Sequence, residues 1–570
     1  MENSEQTRVR NLEIIVYSMA FILAMGLRFI KLGALPLGDL EATNALQALK
    51  IASGGVVTVG GQPGYVVLTS MLFFLLGSSE FWARFWPAIF GVGLVFIPLL
   101  YKRWLGIIPA FILALFFAIE PGFIALSRTS TGTMIGVVSI LAAVGFLINR
   151  KLLYAGFFTA IALLGGVSFW PGVIGAVISV GVYLWIHKLW NKDNLGTVFS
   201  VFSSINWKLY LFSTLGTLLL LGTDFFLKPQ VISGLGTSIA DYFHSWSIIG
   251  NGVSDKVMFI GLLGEQLLAI LLACWGAISG WQKHRNIIIF LGIWLLISTA
   301  FTLLNPSRQV VDWSWTLVPI WVLAAYGFGD LLQLFTNEEW TLKIFQTIAT
   351  FALLVFSFLN FLSMAVGVNN LSPIGDNFLL DILLPLALLV VVTLLIGWGW
   401  SSNASRQGLL MGVGLILVAI TFGSAWKAAG LGSRPEAELW RSDALPVGRD
   451  LLLKQINNLS LWNTGQINGT DIDLLNQNQP SLLWALHDFQ NVKQVDIFAD
   501  SDSPSIVLGP TSYTLTLAQT YQGQQVTWTS AINYDKMTAK DWFDWFTFRR
   551  VPTTSTNFIL WARADLFKGS

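Results

Sequence analysis

The chain of 570 residues is very apolar and carries few charges. Hydrophobic residues make up 54% of it and charged residues 11%, with a mean hydropathy of +0.66. Soluble domains contain about a quarter charged residues, so this composition excludes a soluble protein and predicts a polytopic α-helical membrane protein. The net charge of +1, without a block of basic residues, argues against a nucleic-acid partner.

Thirteen apolar runs have the length of a membrane span, and they predict about thirteen transmembrane helices. They cover 12–30, 82–101, 105–120, 131–149, 153–169, 171–188, 209–227, 257–281, 286–304, 311–334, 344–367, 378–400 and 408–428. Arg8 and Arg10 precede the first run, which predicts a cytoplasmic N-terminus. The odd number of spans then places the chain after Trp426 outside the cell membrane.

Segment 31–81, between the first two runs, is predicted to be an outer loop with two interfacial helices. Residues 41–53 have apolar side chains at helical spacing. The basic loops fall on one side of the membrane only if segment 63–77 does not cross it. We therefore predict a second interfacial helix there, with Pro63 in its first turn.

Residues 1–429 form the predicted membrane domain, and residues 430–570 form a small extracytoplasmic α/β domain. The latter region is richer in charges, Asn and Gln. It contains a predicted helix at 450–459 and another that ends at Phe489, with Ser481 as its cap. Short apolar runs predict strands at 495–498, 505–509 and 558–563. The aromatic cluster 541–548 either packs this domain onto the membrane rim or binds an acceptor.

The first outer loop holds the carboxylates Asp39 and Glu41, separated only by Leu40. Acids at the start of a helix are favoured by the helix dipole, so one interpretation is simple capping. The other is a carboxylate base held at the edge of a membrane protein. The two interpretations stay open at this point.

Several cations are predicted to reach the same face of the membrane as this acid pair. A cation there could neutralise a departing phosphate while a carboxylate accepts a proton. Each could equally be an interface anchor or a structural side chain. The candidates are Arg128, Lys228, His244, Lys256 and Arg308. The four histidines of the chain are scattered and predict no zinc site.

Four stretches resemble the GT-C superfamily of polyprenyl-phosphate-sugar-dependent glycosyltransferases. They are most similar to its family-39 branch, which includes protein O-mannosyltransferases and lipid A aminoarabinose transferases. The resemblance spans roughly residues 10–335, and a C-terminal outer domain after about thirteen spans is also the layout of this family. The stretches are GDLEATNALQALKIASG, PGYVVLTSMLFFLLGSSEFWARFWPAIFGVGLVFIPLLYKRWLG, EPGFIALSRTSTG and SRQVVDWSWTLVPIWVLAAYG.

The resemblance implies a membrane glycosyltransferase that moves a sugar from a polyprenyl-phosphate donor to a protein, lipid or glycan acceptor on the outer face. Asp39 or Glu41 would be the base, Arg308 would hold the lipid phosphate, and Arg128 would line the same cavity. The remaining candidates, Lys228, His244 and Lys256, would be possible acceptor or phosphate contacts.

This sequence departs from the family pattern in two places. The family's two acids are usually adjacent, whereas Leu40 separates them here. Relatives often carry an acid shortly after a Ser-Arg pair, here Ser127 and Arg128, where Thr131 and Gly132 stand in this chain. That removes a metal ligand, so we do not predict a required divalent ion or any other cofactor.

Two other functions remain as alternatives. One is a transporter or flippase for lipid-linked sugars, although the sequence shows no broken helices in corresponding halves, the usual sign of a transporter site. The other is a scaffold that has lost catalysis and binds partners through its outer domain.

Overall fold

The chain is a multi-pass helical membrane protein with a small C-terminal sheet domain. The computed structural model describes residues 2–56, 58–190, 206–248, 252–335, 339–366, 378–441, 443–499 and 502–567. Most of the described residues before 430 are helical, and the strands all lie after 470.

Eight helical segments in the described residues are long and apolar enough to cross a membrane. They are Arg10–Phe29, Glu80–Leu100, Phe169–Ile186, Arg285–Leu304, Val310–Leu334, Trp340–Ser363, Leu380–Gly399 and Ser402–Leu431. Two bent helix pairs raise the number to ten. The predicted count of thirteen is therefore not confirmed, although every predicted run coincides with a helix or a bent pair.

The difference arises from three apolar helices that are too short to count as spans: Thr133–Ile148, Leu152–Leu163 and Trp207–Gly222. The longest of these have 16 residues. At 1.5 Å per residue they reach about 24 Å, less than the roughly 30 Å of a bilayer core.

The two bent pairs meet each other at their breaks. Ile107–Ile119 and Pro121–Ser127 are bent by 56°, and Asp255–Glu265 and Leu267–Lys283 by 82°. Glu120 starts the new helix by accepting hydrogen bonds from the backbone N–H groups of the next turn. Gln266 Nε2 donates to Glu120 Oε1 over 2.6 Å. The described residues therefore contain two bent helix pairs that meet at their breaks.

The first loop contains the two predicted helices. They are Asp39–Ala52, hereafter the first loop helix, and Pro63–Leu76, the second loop helix. Each has 14 residues, which is about 21 Å and too short to span a bilayer. Their position at the membrane surface stays a prediction.

The C-terminal domain is built on a five-stranded mixed sheet, so the predicted α/β class is confirmed. The strands are β1 (Ile472–Leu475), β2 (Val492–Val495), β3 (Ile506–Pro510), β4 (Tyr521–Ile532) and β5 (Thr553–Arg563). Their order is β2-β1-β3-β5-β4. β1 pairs in parallel with β2 and β3, whereas β5 pairs antiparallel with β3 and β4.

Two predicted strands, 505–509 and 558–563, coincide with β3 and β5. The strand predicted at 495–498 lies three residues earlier, at 492–495. β2 ends at Val495 because its pairing with β1 ends there. β1 and β4 were not predicted: β1 is only four residues long, and half of β4 is polar.

Helix Arg449–Thr464 confirms and extends the helix predicted at 450–459. The helix predicted to start at Ser481 and reach Phe489 was wrong. It runs from Pro480 to Ala485 and has Gln479 as its N-cap residue. Ser481 lies inside it, and its backbone N–H donates to Asp39 Oδ1 over 3.0 Å.

The aromatic cluster at 541–548 packs the C-terminal domain against the helices of the membrane domain. Its helix runs from Ala539 to Phe548. Trp545 is buried beside Gly264, and the ring of Phe543 lies 4.6 Å from that of Phe361. These contacts support the packing interpretation of the cluster.

A buried ionic network secures this contact at the sharper of the two helix breaks. Arg549 donates to Glu438 Oε1 over 2.9 Å and to Glu265 Oε1 over 2.8 Å. Trp440 Nε1 donates to the other oxygen of Glu265. Glu438 and Trp440 precede the sheet in residues 432–448, hereafter the linker, so the network joins the linker, the C-terminal domain and the bent helix.

Candidate active site

A cleft of about 90 Å³ lies where the first loop helix, the turn around residue 130 and the linker meet. The first loop helix contributes Glu41, and the linker contributes Arg441 and Asp443. The remaining wall includes Thr129 and Thr131 and the residues Gly38, Leu40, Gln62, Leu126, Thr133, Ser168, Val311, Trp440, Ala444 and Leu445. Charged groups, hydroxyls and apolar side chains thus share one cleft.

Glu41 is buried in this cleft and is fully engaged by hydrogen-bond donors. Its Oε1 accepts from Arg84 Nε over 3.0 Å and from the Ser130 backbone N–H over 2.8 Å. Its Oε2 accepts from Arg84 Nη2 over 2.8 Å and from the Gly38 N–H over 3.4 Å. Burial alone would raise the pKa of Glu41, but the charge and hydrogen bonds of Arg84 outweigh burial and hold it below its usual range.

Asp443 reaches the start of the first loop helix from the linker. Its Oδ2 accepts from the backbone N–H groups of Leu40, over 2.6 Å, and Glu41, over 3.4 Å. Gly38 permits this approach, because a Cβ there would lie 2.5 Å from the Cβ of Asp443. Burial and the nearby charge of Glu41 raise the pKa of Asp443 to about 6.

Arg441 supplies a cation to the same cleft. Its Nε is shielded from solvent and has no hydrogen-bond partner. Burial and the charge of Arg84 lower its pKa. A buried donor without an acceptor costs about 1–3 kcal/mol, so an anion that entered the cleft would satisfy a group that the described protein residues leave unpaired.

Asp39 makes a different contact from Glu41. Its Oδ1 accepts the backbone N–H of Ser481 in the C-terminal domain, so it caps a helix there. Asp443 from the linker caps the first loop helix in return. The two acids of the first loop therefore have different partners: Glu41 lines the cleft, and Asp39 contacts the C-terminal domain.

Arg128 and Arg308 both bind helix ends. Arg128 donates to the backbone oxygens of Leu27, Arg28 and Lys31, where the first helix ends. Arg308 donates to the oxygens of residues 253, 303 and 305 and forms a 3.0 Å ion pair with Asp255. The cleft is lined by residues close to both arginines in sequence. They are Thr129 and Thr131, which follow Arg128, and Val311, three residues after Arg308. The predicted phosphate contacts of these two arginines stay predictions.

The three other candidate cations lie outside the cleft lining. Lys228 Nζ donates to the oxygens of Gly54 and Gly55, just after the first loop helix. His244 lies in the last turn of helix Ser233–Ser245, and Lys256 in the first turn of Asp255–Glu265. Both side chains are exposed. Their predicted contacts with acceptor or phosphate are not tested by this arrangement.

Sequence reasoning missed Arg441 and Asp443. Both lie after the last apolar run, in the segment ELWRSDALP. Such a segment looks like an ordinary polar linker, and its contact with the first loop spans 403 residues. Charged residues immediately after the last span were the available signal.

The described residues contain no group of three or more His, Cys, Asp or Glu side chains that could hold a metal ion. At the position where relatives often carry an acid, the Gly132 N–H donates to Gln62 Oε1 over 2.8 Å.

An apolar cavity of about 710 Å³ lies on another face of helix Glu80–Gly93. Trp86 and Phe90 of this helix line it together with side chains of the neighbouring helices, among them Phe146 and Phe158. Arg84 of the same helix binds Glu41 in the cleft. A cavity of this composition suits a hydrocarbon chain and excludes charged groups.

The fold recurs in solved structures of ArnT from Cupriavidus metallidurans. The structure bound to undecaprenyl phosphate matches with a TM-score of 0.55 and 14% identity, over 98% of this chain and 99% of ArnT. The apo structure matches with a TM-score of 0.53 and 14% identity, over 88% and 93%.

An Archaeoglobus fulgidus oligosaccharyltransferase tethered with an acceptor peptide has a TM-score of only 0.41 at 14% identity, over 84% of this chain and 63% of its own. No protein-family model matches the chain, and no curated protein matches it in sequence. Over almost its whole length, the chain therefore has the fold of ArnT.

Proposed function

We propose that the chain is a membrane glycosyltransferase that moves a sugar from a polyprenyl-phosphate-linked donor to an acceptor on the outer face of the membrane. The observation that carries this proposal is the cleft, where carboxylates, a guanidinium group and hydroxyls meet beside the apolar helices. The fold likeness to ArnT bound to undecaprenyl phosphate supports it.

Positive charge is concentrated around the cleft, as the release of a phosphate requires. Burial, and after it the nearby charges of Arg84, Arg441 and Arg28, lower the pKa of Arg128 to about 9. Guanidinium groups bind phosphate through paired, charge-assisted hydrogen bonds. A lipid phosphate that leaves the sugar would be stabilised in such surroundings.

Arg441 is the best placed of these arginines to bind the donor phosphate. Arg84 is engaged by Glu41, and Arg128 by backbone oxygens. Arg441 lines the cleft, and no described residue accepts a hydrogen bond from its guanidinium group. We add it to the earlier predictions of Arg308 and Arg128 as phosphate ligands. The apolar cavity beside helix Glu80–Gly93 is consistent with a donor that carries a lipid chain.

The test is sugar transfer by purified protein in lipid nanodiscs, with labelled polyprenyl-phosphate sugars and a panel of lipid, glycan and peptide acceptors. Arg441→Ala should raise the KM for donor about 10- to 100-fold, since a hydrogen bond to a charged group contributes about 1.5–3 kcal/mol. Arg434→Ala is the matched control, because Arg434 is an exposed arginine of the same linker.

Control and parent should have the same KM. A parent protein that binds the lipid but neither transfers nor hydrolyses the sugar would contradict the proposal. Equal KM values for Arg441→Ala and Arg434→Ala would contradict the proposed role of Arg441 in phosphate binding and would leave the proposed function standing.

A lipid-linked-sugar transporter is the second candidate, because the structure contains two bent helix pairs joined by Gln266 and Glu120. Paired broken helices are a feature of transporter sites. Translocation of the donor across proteoliposome membranes, without modification of any acceptor, would favour this function. A scaffold without catalysis would show neither activity and would retain protein partners.

A further inference from the structure

We propose that Asp443, from the linker, accepts the proton of the attacking hydroxyl, and that Glu41 is a positioning residue. The inference rests on the proposed glycosyl transfer, whose base was predicted to be Asp39 or Glu41. It makes the linker a part of the active site instead of a simple connection between two domains.

Glu41 is poorly placed to act as a base because its acceptor positions are filled. An ionised carboxylate offers about four lone-pair sites. Glu41 receives two hydrogen bonds from Arg84 and one each from the backbone N–H groups of Gly38 and Ser130. A substrate hydroxyl could bind Glu41 only by displacing one of these buried donors. The same contacts make Glu41 well suited to hold Arg84 and the turn at Ser130 in place.

Asp443 has a free oxygen in the cleft. Both N–H groups that bind it, those of Leu40 and Glu41, donate to Oδ2. No described residue donates a hydrogen bond to Oδ1, although Asp443 lines the cleft. The two N–H groups fix the orientation of the carboxylate and leave Oδ1 for a ligand. Asp443 also lies close to Arg441, the proposed phosphate ligand, in sequence and in space.

The electrostatic surroundings of Asp443 agree with this role. Glu41 and Asp39 face it with negative charge, and Arg441 faces it with positive charge. Burial and the charge of Glu41 raise the pKa of Asp443 to about 6. A general base works best when its pKa lies near the working pH, because it is then ionised and still binds a proton well.

The step balances without any other reactant. The acceptor O–H gives its proton to Asp443 Oδ1 while the oxygen forms a bond to the anomeric carbon of the sugar. The bond between that carbon and the phosphate oxygen breaks, and its electron pair leaves with polyprenyl phosphate beside Arg441. Asp443 then releases the proton to solvent.

Asp443 could instead have a purely structural role as the cap of the first loop helix. Asparagine separates the two roles, because its side-chain oxygen still accepts both N–H groups but cannot take a proton at neutral pH. Alanine removes the cap and the base together. Asp450→Asn is the control, since Asp450 is an exposed acid just after the linker.

The experiment measures transfer and hydrolysis of labelled polyprenyl-phosphate sugars in nanodiscs for the parent, Asp443→Asn, Asp443→Ala and Asp450→Asn, together with the Kd for polyprenyl phosphate. We expect Asp443→Asn to lower kcat by about 10²–10⁴-fold and to leave the Kd unchanged. The parent should lose activity as the pH falls through about 6, as protonation of Asp443 predicts. The residual activity of Asp443→Asn should lack this dependence.

Three results would overturn the assignment. Parent-like kcat in Asp443→Asn would show that Asp443 does not accept the proton, and the proposed function would stand. Loss of activity in Asp443→Ala but not in Asp443→Asn would show that capping is its role. A parent protein that binds polyprenyl phosphate but neither transfers nor hydrolyses sugar would refute the proposed function itself, and the base with it.

Discussion

Arg549 is predicted to hold the C-terminal domain on the membrane domain. It lies between Glu265 and Glu438, with N–O distances of 2.8 and 2.9 Å, and all three side chains are at least 95% buried. Arg549→Met leaves two buried carboxylates without their cation. Loss of one partner from a buried ion pair typically costs about 3–5 kcal/mol. The local opening constant of this contact should therefore rise roughly 10²–10⁴-fold.

Hydrogen exchange of helix Ala539–Phe548, followed by mass spectrometry in nanodiscs, measures this opening directly. Arg550→Met is the matched control, because Arg550 is the next residue and is exposed. Adding Glu265→Gln and Glu438→Gln to Arg549→Met should restore much of the protection, since no buried charge then remains unpaired. Equal exchange in the Arg549→Met and Arg550→Met proteins would refute this account of how the domain is held.

Three further outcomes are expected. Glu41→Gln should lower the free energy of unfolding by about 3–5 kcal/mol through the loss of its buried pair with Arg84. The double variant Glu41→Gln/Arg84→Met should lose less stability than the two single variants added together. Thermal melting measures both effects. Asp443 binds its proton more tightly in the folded state, because its pKa rises from 3.8 to about 6 on folding. The stability of the parent protein relative to Asp443→Asn should therefore fall as the pH rises from about 4 to about 6. The full effect is at most about 3 kcal/mol. Gly276→Ala should lower the melting temperature, because a Cβ there overlaps the backbone of the helix that contains Gly327, and overpacking typically costs about 1–3 kcal/mol.

Each of these outcomes has a contrary result. Additive losses in the Glu41 and Arg84 double-mutant cycle would show that the two side chains are not coupled. A constant difference between the parent and Asp443→Asn across pH 4–6 would show that the pKa of Asp443 is not raised. For the helix contact, Gly292→Ala is the control, since a Cβ at Gly292 meets no atom within 4 Å. Equal melting temperatures for the two glycine variants would contradict the close helix packing.

The broad architecture could be predicted from the sequence because apolar length and charge patterns are local properties. Every predicted apolar run coincides with a helix or a bent pair, and the second loop helix begins at Pro63 as predicted. The first loop helix begins at Asp39, two residues before the predicted segment 41–53. The number of spans could not be predicted, because a 16-residue apolar helix such as Thr133–Ile148 and a true span look alike in composition. Helix breaks depend on distant partners, as Glu120 and Gln266 show.

The candidate site could be predicted only in part, for the same reason. The acids of the first loop pointed to the right place, since Glu41 lies in the cleft. The partner of Glu41 is Arg84, 43 residues away, and Asp443 contacts the same helix from 403 residues away. A single sequence does not reveal which charges converge across such separations, and the sequence-predicted cations turned out to bind helix ends or to lie outside the cleft lining.

The most direct measurement is an electron cryomicroscopy structure of the protein in nanodiscs with polyprenyl phosphate bound. We predict that the phosphate lies in the cleft within hydrogen-bond distance of Arg441, on the side where Asp443 presents its free oxygen. A phosphate bound outside the cleft, with no contact to Arg441 or Asp443, would contradict the proposal that this cleft is a glycosyl-transfer site.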